Sequence, residues 1–364
     1  MDNKSLYYDK IDYSVVSNAW NILEPYIKLP FVIHIVGTNG KGSTGRFLAS
    51  ILYQQNKRVL HYSSPHIVKF NERIWIDGKN IDDSTLDETH IKLCDILPND
   101  ILVKLTYFEY TTLLALYISS GFDYIVLEAG LGGEFDATNV VKNDLTLITT
   151  IGLDHQEFLG DTIEQIATTK LKSCDNSFIL GYQRYDIVKD IAKTVLKDKK
   201  EYRFNRYNLD INLPQYLQQN LFLALSCLEM LGFGDINYSL PPLFGRYQKI
   251  APNITIDVGH NTLAATSIKE QLEKENKKVI LVYNSYKDKD YKSILTILAP
   301  FIKEVQIIKC EDTRIVDTAI LEDTIKSLGL KCGIFTNNID DRIDYLVFGS
   351  FLVVEQFIKQ KGDV

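Results

Sequence analysis

Residues 31–44 read FVIHIVGTNGKGST. A mostly apolar run leads into a glycine-rich turn, and Lys41 and two hydroxyl residues then open an amphipathic stretch that continues to about Gln54. Glycines let consecutive backbone N–H groups point at phosphate oxygens, and the N-terminus of a following helix adds a partial positive charge. The stretch therefore predicts a strand–turn–helix phosphate loop. Only Thr38 and Asn39 separate Gly37 from the Gly-Lys pair, whereas the usual pattern has four residues there. The alternative is a glycine-rich turn that only closes a βα unit.

Short β-branched runs alternate with helix-length amphipathic segments through most of the chain. Most of these runs are apolar on both faces, as expected of parallel strands that helices cover. The clearest predicted strands are residues 31–36, 124–127, 145–150, 254–258, 279–283, 305–308 and 345–348. The alternation predicts an α/β fold built from βαβ units.

The predicted domain boundary is the segment Ser239-Leu240-Pro241-Pro242. A Leu- and Ala-rich helical segment, residues 217–231, precedes it, and a new series of strands follows. Paired prolines remove two amide donors and stiffen a connection between domains, although an ordinary loop is the alternative. We therefore expect domains at 1–240 and 241–364. The second is Rossmann-like in topology but lacks the Gly-x-Gly-x-x-Gly dinucleotide motif.

Composition is typical of a globular enzyme, because 45% of the 364 residues are hydrophobic and 24% are charged. The net charge of −7 predicts no general attraction to nucleic acid or to anionic membranes. The five cysteines form no CxxC pair, which excludes a disulfide framework and a cysteine zinc site. Residues 1–5 do not resemble a secretory signal, and no apolar run is long enough to span a membrane. We therefore expect a soluble, cytoplasmic protein of more than one domain. We also expect a monomer, and the resemblance described next implies small-molecule partners.

Motifs in both halves of the chain resemble the folylpolyglutamate synthase/dihydrofolate synthase family of the Mur ligase superfamily. In order they are GTNGKGST (37–44), SSPH (63–66), FNERI (70–74), LTYFEY (105–110), LEAGLGG (127–133), DATN (136–139), LDH (153–155), GRYQ (245–248), DVGHN (257–261), DKD (288–290) and GSF (349–351). The resemblance implies a P-loop-containing central ATPase domain of the Mur-ligase type and a smaller C-terminal Rossmann-like α/β domain. The active site then lies in the cleft between them.

The resemblance also implies a reaction. ATP phosphorylates a carboxylate to an acyl phosphate, which the amino group of L-glutamate attacks to form an amide. The carboxylate belongs to dihydropteroate or to the glutamate tail of a reduced folate. Three alternatives stay open: a folylpolyglutamate synthase only, a Mur-type peptide ligase, and a nucleotide-binding module without ligase chemistry. The peptide ligase is disfavoured because such relatives place a whole domain before the loop, where this chain has 36 residues.

Individual roles follow from the resemblance, residue by residue. ATP binding falls on Thr38, Asn39, Gly40, Lys41, Gly42, Ser43, Asn220, Arg246 and Asp257. The resemblance implies two Mg²⁺ ions, with Ser64, Glu128, His155 and Lys170 as their ligands. It assigns catalytic roles to Lys41, His155, Lys170 and Arg246. Glu128 directly follows the predicted strand 124–127, and a carboxylate in that position suits Mg²⁺ independently of the resemblance. Ser43 or Thr44 is expected to cap the helix near the metal.

Lys170 lies 15 residues beyond His155, where the family carries a lysine that CO₂ converts to a carbamate. Its neighbours Thr169 and Leu171 depart from the family, and Lys172 is the alternative. For either residue, the alternative is an ordinary lysine on a helix face in contact with solvent.

Pterin binding falls on Thr106, Tyr107, Phe108, Glu109, Phe135, Asp136 and Ala137, and glutamate binding on His260 and Ser350. An aromatic ring beside a carboxylate suits a flat heterocycle with donor edges, but the same residues could be core and solvent-facing side chains. Glu134 occupies a position that is often basic in relatives, and Ile11-Asp12 resembles an N-terminal segment of the family.

Overall fold

The structure is a computed structural model, and it describes residues 12–234 and 236–362. Residues 1–5 and Ile11, which enter the sequence interpretation, lie outside these ranges. The described chain divides into two compact units. The first runs to Ile211 and includes Leu217–Pro241, and the second comprises Asn212–Tyr216 and the chain from Pro242 onwards.

Helices and strands alternate as the α/β prediction requires. The helices are α1 (Tyr13–Leu23), α2 (Lys41–Gln54), α3 (Asp83–Ile96), α4 (Asn99–Leu102), α5 (Tyr107–Ile118), α6 (Gln156–Leu159), α7 (Ile163–Leu171), α8 (Ile187–Val195), α9 (Gln215–Met230), α10 (Thr262–Lys274), α11 (Tyr291–Leu298), α12 (Thr318–Ser327) and α13 (Phe351–Lys361). The strands are β1 (Phe31–Val36), β2 (Val59–Tyr62), β3 (Ile74–Ile76), β4 (Lys79–Asn80), β5 (Tyr124–Glu128), β6 (Leu145–Ile148), β7 (Ser177–Leu180), β8 (Lys200–Tyr202), β9 (Gln248–Ala251), β10 (Ile254–Asp257), β11 (Val279–Tyr283), β12 (Ile302–Ile307), β13 (Cys332–Ile334) and β14 (Tyr345–Phe348). In the ranges that the structure describes, no helix is both long enough and apolar enough to cross a lipid bilayer.

The first unit is built on an eight-stranded sheet of order β4-β3-β2-β5-β1-β6-β7-β8. Neighbours from β2 to β8 are parallel, and β3 and β4 extend the sheet antiparallel. The central strand β1 is buried along nearly its whole length. Because parallel strands end at the same edge of a sheet, the segments that follow β1, β2, β5 and β6 lie near one another. That edge carries the candidate site.

The second unit is built on a six-stranded sheet of order β13-β12-β11-β14-β10-β9. All neighbours are parallel except β9 and β10, which are antiparallel. Asn212–Tyr216 groups with this unit, whereas the sequence assigns these residues to the first domain. The hydroxyl of Tyr216 donates a hydrogen bond to Asp257 Oδ2 at 2.7 Å, which fastens the segment to the end of β10.

The α/β fold predicted from the sequence is confirmed, with differences at the ends of some elements. The strand predicted over 145–150 ends at Ile148, because Thr149 and Thr150 turn to support the phosphate loop. The strand predicted over 305–308 begins earlier, at Ile302, and the helix predicted over 217–231 is Gln215–Met230. The strands at 31–36, 279–283 and 345–348 have the predicted bounds.

Candidate active site

The phosphate loop joins β1 to α2 at the carboxyl edge of the first sheet. Gly40 is the N-cap residue of α2 in a left-handed conformation (φ 90°), and no side chain caps the helix. The backbone N–H groups of the first turn therefore have no partner within the helix, which makes the helix start an anion site. The expectation that Ser43 or Thr44 caps the helix is wrong, because Gly40 is the N-cap residue and no side chain makes a capping hydrogen bond.

Hydrogen bonds hold the phosphate loop to the segment that follows β6. The N–H groups of Thr38 and Asn39 donate to the carbonyl oxygen of Thr150 at 3.0 and 3.2 Å. The Thr38 hydroxyl bonds to the backbone of Gly152 at 3.0 Å. Lys41 Nζ lies over the turn and donates to the carbonyl oxygens of residues 37 and 38 at 3.2 and 3.3 Å. The amides that face an anion are thus those of the helix start, residues 41–43.

Asn220 of α9 packs against Gly40. A Cβ atom on Gly40 would overlap Asn220 Oδ1, so this position needs glycine for its space as well as for its positive φ. The Asn220 side chain is buried, and its Nδ2 has no hydrogen-bond partner among the described residues. An unsatisfied buried amide is costly, which fits a donor that awaits a ligand acceptor such as a purine nitrogen.

Glu128 ends β5 directly beside the phosphate loop. It pairs in register with Ile35 of β1, and a Cβ on Gly42 would lie 3.1 Å from Glu128 Oε2. The same oxygen accepts the backbone N–H of Ser64, at the end of the neighbouring strand β2, at 3.2 Å. Glu128 is only 6% exposed, so it is not a solvent-facing acid.

These oxygen donors fit a magnesium ion. In the described ranges no group of three or more His, Cys, Asp or Glu side chains forms a cage for a metal. Mg²⁺ does not require one, since it is commonly held by one or two carboxylates, waters and the phosphates of a nucleotide. A buried carboxylate beside a serine and a phosphate loop offers that environment.

Arg46 is a site residue that the sequence interpretation missed. It lies on α2 one turn after Lys41, and burial lowers its pKa to about 10, while the carboxylates of Glu128 and Glu72 oppose that shift. Its guanidinium group also stacks over Trp75, 5.0 Å from the ring centroid. Arg46 therefore places a partly buried positive charge near Glu128. The only signal in the sequence is a basic residue on the helix that follows the loop.

Lys170, near the end of α7, is buried and lies near Lys41. Burial lowers the pKa of Lys170 to about 7, the charge of Lys41 lowers it further, and Asp154 and Asp136 oppose the shift. The side chain is 5% exposed, so the reading of Lys170 as a solvated lysine is wrong. Lys172, the alternative candidate, is about half exposed and pairs with Glu134 Oε2 at 3.1 Å.

His155 lies at the start of α6. It is exposed, adopts a left-handed conformation (φ 52°), and its backbone N–H donates to Asp154 Oδ1 at 2.9 Å. Its neighbour Asp154 lies close enough to Lys170 to raise the pKa of that lysine.

Phe108 is the centre of the predicted pterin residues. Its ring stacks on Tyr62 with centroids 5.9 Å apart, and it approaches Gly130 so closely that a Cβ there would lie 2.6 Å from Phe108 Cζ. Tyr107 packs under the guanidinium of Arg73 at 5.2 Å. The structure thus gathers aromatic side chains between α5 and the glycine turn that follows Glu128.

The polar residues of this group make structural contacts. Glu109 accepts hydrogen bonds from Thr106 N and Oγ1 at 2.9 and 2.8 Å, a capping box at the start of α5. Asp136 is buried and accepts the N–H groups of Leu131 and Thr138 at 2.8 and 3.0 Å; burial raises its pKa, and these bonds oppose that shift. Ala137 is buried next to it. Phe135 is 59% exposed and makes an edge contact with the ring of Tyr13, with centroids 6.2 Å apart.

In the second unit, the predicted residues lie at the adjacent ends of β10 and β14. Asp257 pairs in register with Phe348, and Asp257 accepts the N–H groups of Tyr247 and Gly259 in addition to the Tyr216 hydroxyl. Burial raises the pKa of Asp257, although Tyr216 and Arg246 oppose that shift. Tyr216 was not predicted, because only the fold brings it to Asp257.

Phe351 joins the remaining residues of that cluster. The guanidinium of Arg246 lies 5.1 Å from the Phe351 ring centroid, and the His260 ring lies 6.4 Å from it. Ser350 is buried and caps α13 by accepting the N–H of Val353 at 3.2 Å. The fold therefore brings Arg246 and His260 to the ring of Phe351, which follows Ser350 in the chain.

Comparison with known proteins places these features among related enzymes. Residues 35–177 match the model of the Mur ligase middle domain. The dihydrofolate synthase/folylpolyglutamate synthase of Buchnera aphidicola subsp. Schizaphis graminum is 31% identical over 378 residues, covering 91% of this chain and 88% of that protein. The crystal structure of Helicobacter pylori folylpolyglutamate synthetase is 36% identical with a TM-score of 0.78, covering 99% of this chain and 96% of that one. The structure described as E. coli FolC in complex with DHPP and ADP is 26% identical with a TM-score of 0.84, covering 99% and 95%.

Proposed function

Because the chain belongs to the dihydrofolate synthase/folylpolyglutamate synthase family, we propose that it is an ATP-dependent ligase that adds L-glutamate to dihydropteroate and to the glutamate tail of reduced folates. The observation that carries the proposal is the position of Glu128, Ser64 and Lys41 around the uncapped start of α2. Such a constellation binds a nucleotide triphosphate with its metal, and a non-catalytic module has no need of the buried Lys170 beside it.

In the proposed reaction, ATP lies with its phosphates on the start of α2. The N–H groups of residues 41–43 and the ammonium of Lys41 bind the outer phosphates, and the Asn220 amide binds the adenine. Glu128 and Ser64, with His155, would hold two magnesium ions, which would supply charge neutralisation on the phosphates. Arg46 supplies a positive charge near Glu128.

The substrate carboxylate attacks the γ-phosphorus, forming an acyl phosphate and ADP. The aromatic group around Phe108 holds the pterin by stacking, which positions the carboxylate without adding charge to the site. Thr106, Glu109 and Asp136 then act mainly by fixing the backbone around that ring. The amino group of L-glutamate next attacks the carbonyl carbon, and inorganic phosphate leaves with the oxygen that came from the carboxylate.

In the second unit, we assign Arg246 to phosphate, Asp257 to the ribose, and His260 and Ser350 to the incoming glutamate. Asp257 is held by three donors, which suits a rigid acceptor. A guanidinium forms paired hydrogen bonds to phosphate oxygens, and it stabilises the charge that develops on transfer.

Lys170 is proposed to act as a carbamate. Its neutral amine adds to CO₂ and releases one proton. The side chain then carries a negative charge and would help to hold the metal. The lowered pKa favours this step, because only the neutral amine reacts.

A second candidate function is folylpolyglutamate synthesis alone. The Helicobacter pylori relative carries only that name, and Glu134, beside the pterin candidate Phe135, is acidic where relatives are often basic. Both candidates act on small molecules in the cytoplasm.

The test is an ADP-release assay with MgATP, L-glutamate and either dihydropteroate or tetrahydrofolate. We expect ADP release with each acceptor, and a product that is heavier by one glutamyl residue. Activity with tetrahydrofolate alone supports the second candidate. No glutamate-dependent ADP release with either acceptor contradicts both.

A further inference from the structure

A cavity of about 670 Å³ lies in the first unit at the β7–β8 edge of the sheet, apart from the candidate active site. The end of β7, helix α8 and the segment after β8 form its wall. None of the residues assigned above to ATP, metal, pterin or glutamate is among the described residues that line it. Its volume lies within the range of about 300–1,000 Å³ that is usual for small-molecule sites.

Positively charged side chains dominate this wall. Six of the fifteen lining residues are cations, and Glu201 is the one carboxylate among them. The six are Lys189, Lys193, Lys197, Lys199, Arg203 and Arg206. Lys189 and Lys193 form ion pairs with Asp186 and Asp190 along α8, which still leaves a positive excess. The whole chain carries −7, so the excess is a local feature and it attracts anions.

The remainder of the wall is largely apolar. Phe178 and Leu196 are 4% and 3% exposed, and Phe204 lies between the two arginines in sequence. Asn205 fastens that segment to α9, since its N–H donates to Ser226 Oγ at 2.9 Å and its side chain to Glu229 at 2.7 Å. The arginines therefore extend from an anchored backbone, which reduces the entropy lost when they bind a ligand.

We propose that this cavity binds an organic polyanion, with a flat apolar body and at least two negative charges. Lysine and arginine bind phosphate and carboxylate groups alike, so nucleotides and polyglutamylated aromatic compounds share the required chemistry. The apolar wall covers the body of the ligand, and the cations bind its charged chain.

Gln183 connects the cavity to the phosphate loop. It lines the cavity, is buried, and its amide donates to Thr149 O and accepts the N–H of Ile151, both at 3.0 Å. The intervening Thr150 holds the two N–H groups at residues 38 and 39 of the phosphate loop. A ligand in the cavity therefore acts on the segment that supports the loop, and it changes the KM for ATP. This coupling rests on the proposed function, whereas binding does not.

Binding is tested on the full chain with 8-hydroxypyrene-1,3,6-trisulfonate, a fluorescent aromatic polyanion, in saturating MgADP so that the phosphate loop is occupied. We expect saturable binding to one site. Lys197→Glu combined with Arg203→Glu should weaken it at least tenfold, and Lys142→Glu, an exposed lysine of the same unit, should leave it within twofold. Equal affinity in the double variant, or no saturable binding, overturns the proposal.

Two competitors identify the source of the natural ligand. Displacement of the probe by GTP indicates a nucleotide, and displacement by pteroylpentaglutamate indicates a polycarboxylate; displacement by neither overturns the polyanion assignment. We also expect the effective competitor to change the KM for ATP at least threefold in the wild type but not in the double variant. An unchanged KM at full occupancy overturns the coupling. Failure of all ATP turnover counts against the proposed function, while the directly measured binding decides the cavity.

Discussion

The readiness of Lys170 to react with CO₂ depends on the fraction of its amine that is neutral, and the environment of the side chain sets that fraction. A lysine with the ordinary pKa of 10.5 is only about 0.03% neutral at pH 7, whereas a pKa of about 7 makes about half of Lys170 neutral, roughly a thousandfold more reactive amine. This pKa sets the direction of the pH dependence. The neutral amine predominates above pH 7 and the ammonium below it, so the reaction with CO₂ becomes less favourable as the pH falls below about 7.

The assay measures ligation by enzyme that has been depleted of CO₂, with and without added bicarbonate. We expect activity to fall on depletion and to return with bicarbonate, and the bicarbonate requirement should rise as the pH falls below 7. Lys170→Ala should lose about 10²-fold or more in kcat, with partial rescue by acetate, on the scale of a single electrostatic stabiliser. The matched control is Lys172→Ala, because Lys172 is exposed and pairs with Glu134. Full activity in CO₂-free buffer, without a carbamate ¹³C signal after ¹³C-bicarbonate labelling, would refute the reasoning.

Three further substitutions test other parts of the site, each checked for native circular dichroism. Lys41→Ala should lower kcat by about 10²-fold or more, since it removes a charge from the transferred phosphoryl group; near-normal turnover excludes Lys41 as the phosphate lysine. Glu128→Gln should raise the Mg²⁺ concentration for half-activity at least tenfold, because an amide is a weaker ligand than a carboxylate, while Glu157→Gln on exposed α6 should not. Gly130→Ala should raise the KM for dihydropteroate by about 5- to 150-fold, since a new Cβ would lie 2.6 Å from Phe108 Cζ and overpacking costs about 1–3 kcal/mol. Gly234→Ala, with open space around it, is the control, and an unchanged KM would contradict the pterin position.

The sequence was sufficient for the parts of the fold that local patterns determine. Runs apolar on both faces, such as 31–36 and 279–283, have the predicted bounds because burial on both sides and flanking turn residues leave little choice. The phosphate loop was equally visible, since its glycines and lysine lie together in the chain.

Features that depend on distant contacts were not visible. Tyr216 joins the second unit through Asp257, 41 residues further along the chain. Burial of Arg46 and Lys170 depends on elements that only the fold brings together, and so does the shift in their pKa. The capping box of Thr106 and Glu109 is different, because its T-x-x-E pattern was present in the sequence and was interpreted as a pterin contact. Their contact with pterin stays a prediction.

The central claim, ligation through an acyl phosphate, is tested most directly by the fate of the carboxylate oxygens. Dihydropteroate with both carboxylate oxygens replaced by ¹⁸O is incubated with the enzyme, MgATP and L-glutamate, and the released phosphate is analysed by mass. The account predicts one ¹⁸O atom in each phosphate, because the oxygen that attacks the γ-phosphorus leaves with it, and one ¹⁸O in the new amide. Inorganic phosphate that forms along with the amide and carries no ¹⁸O would contradict it.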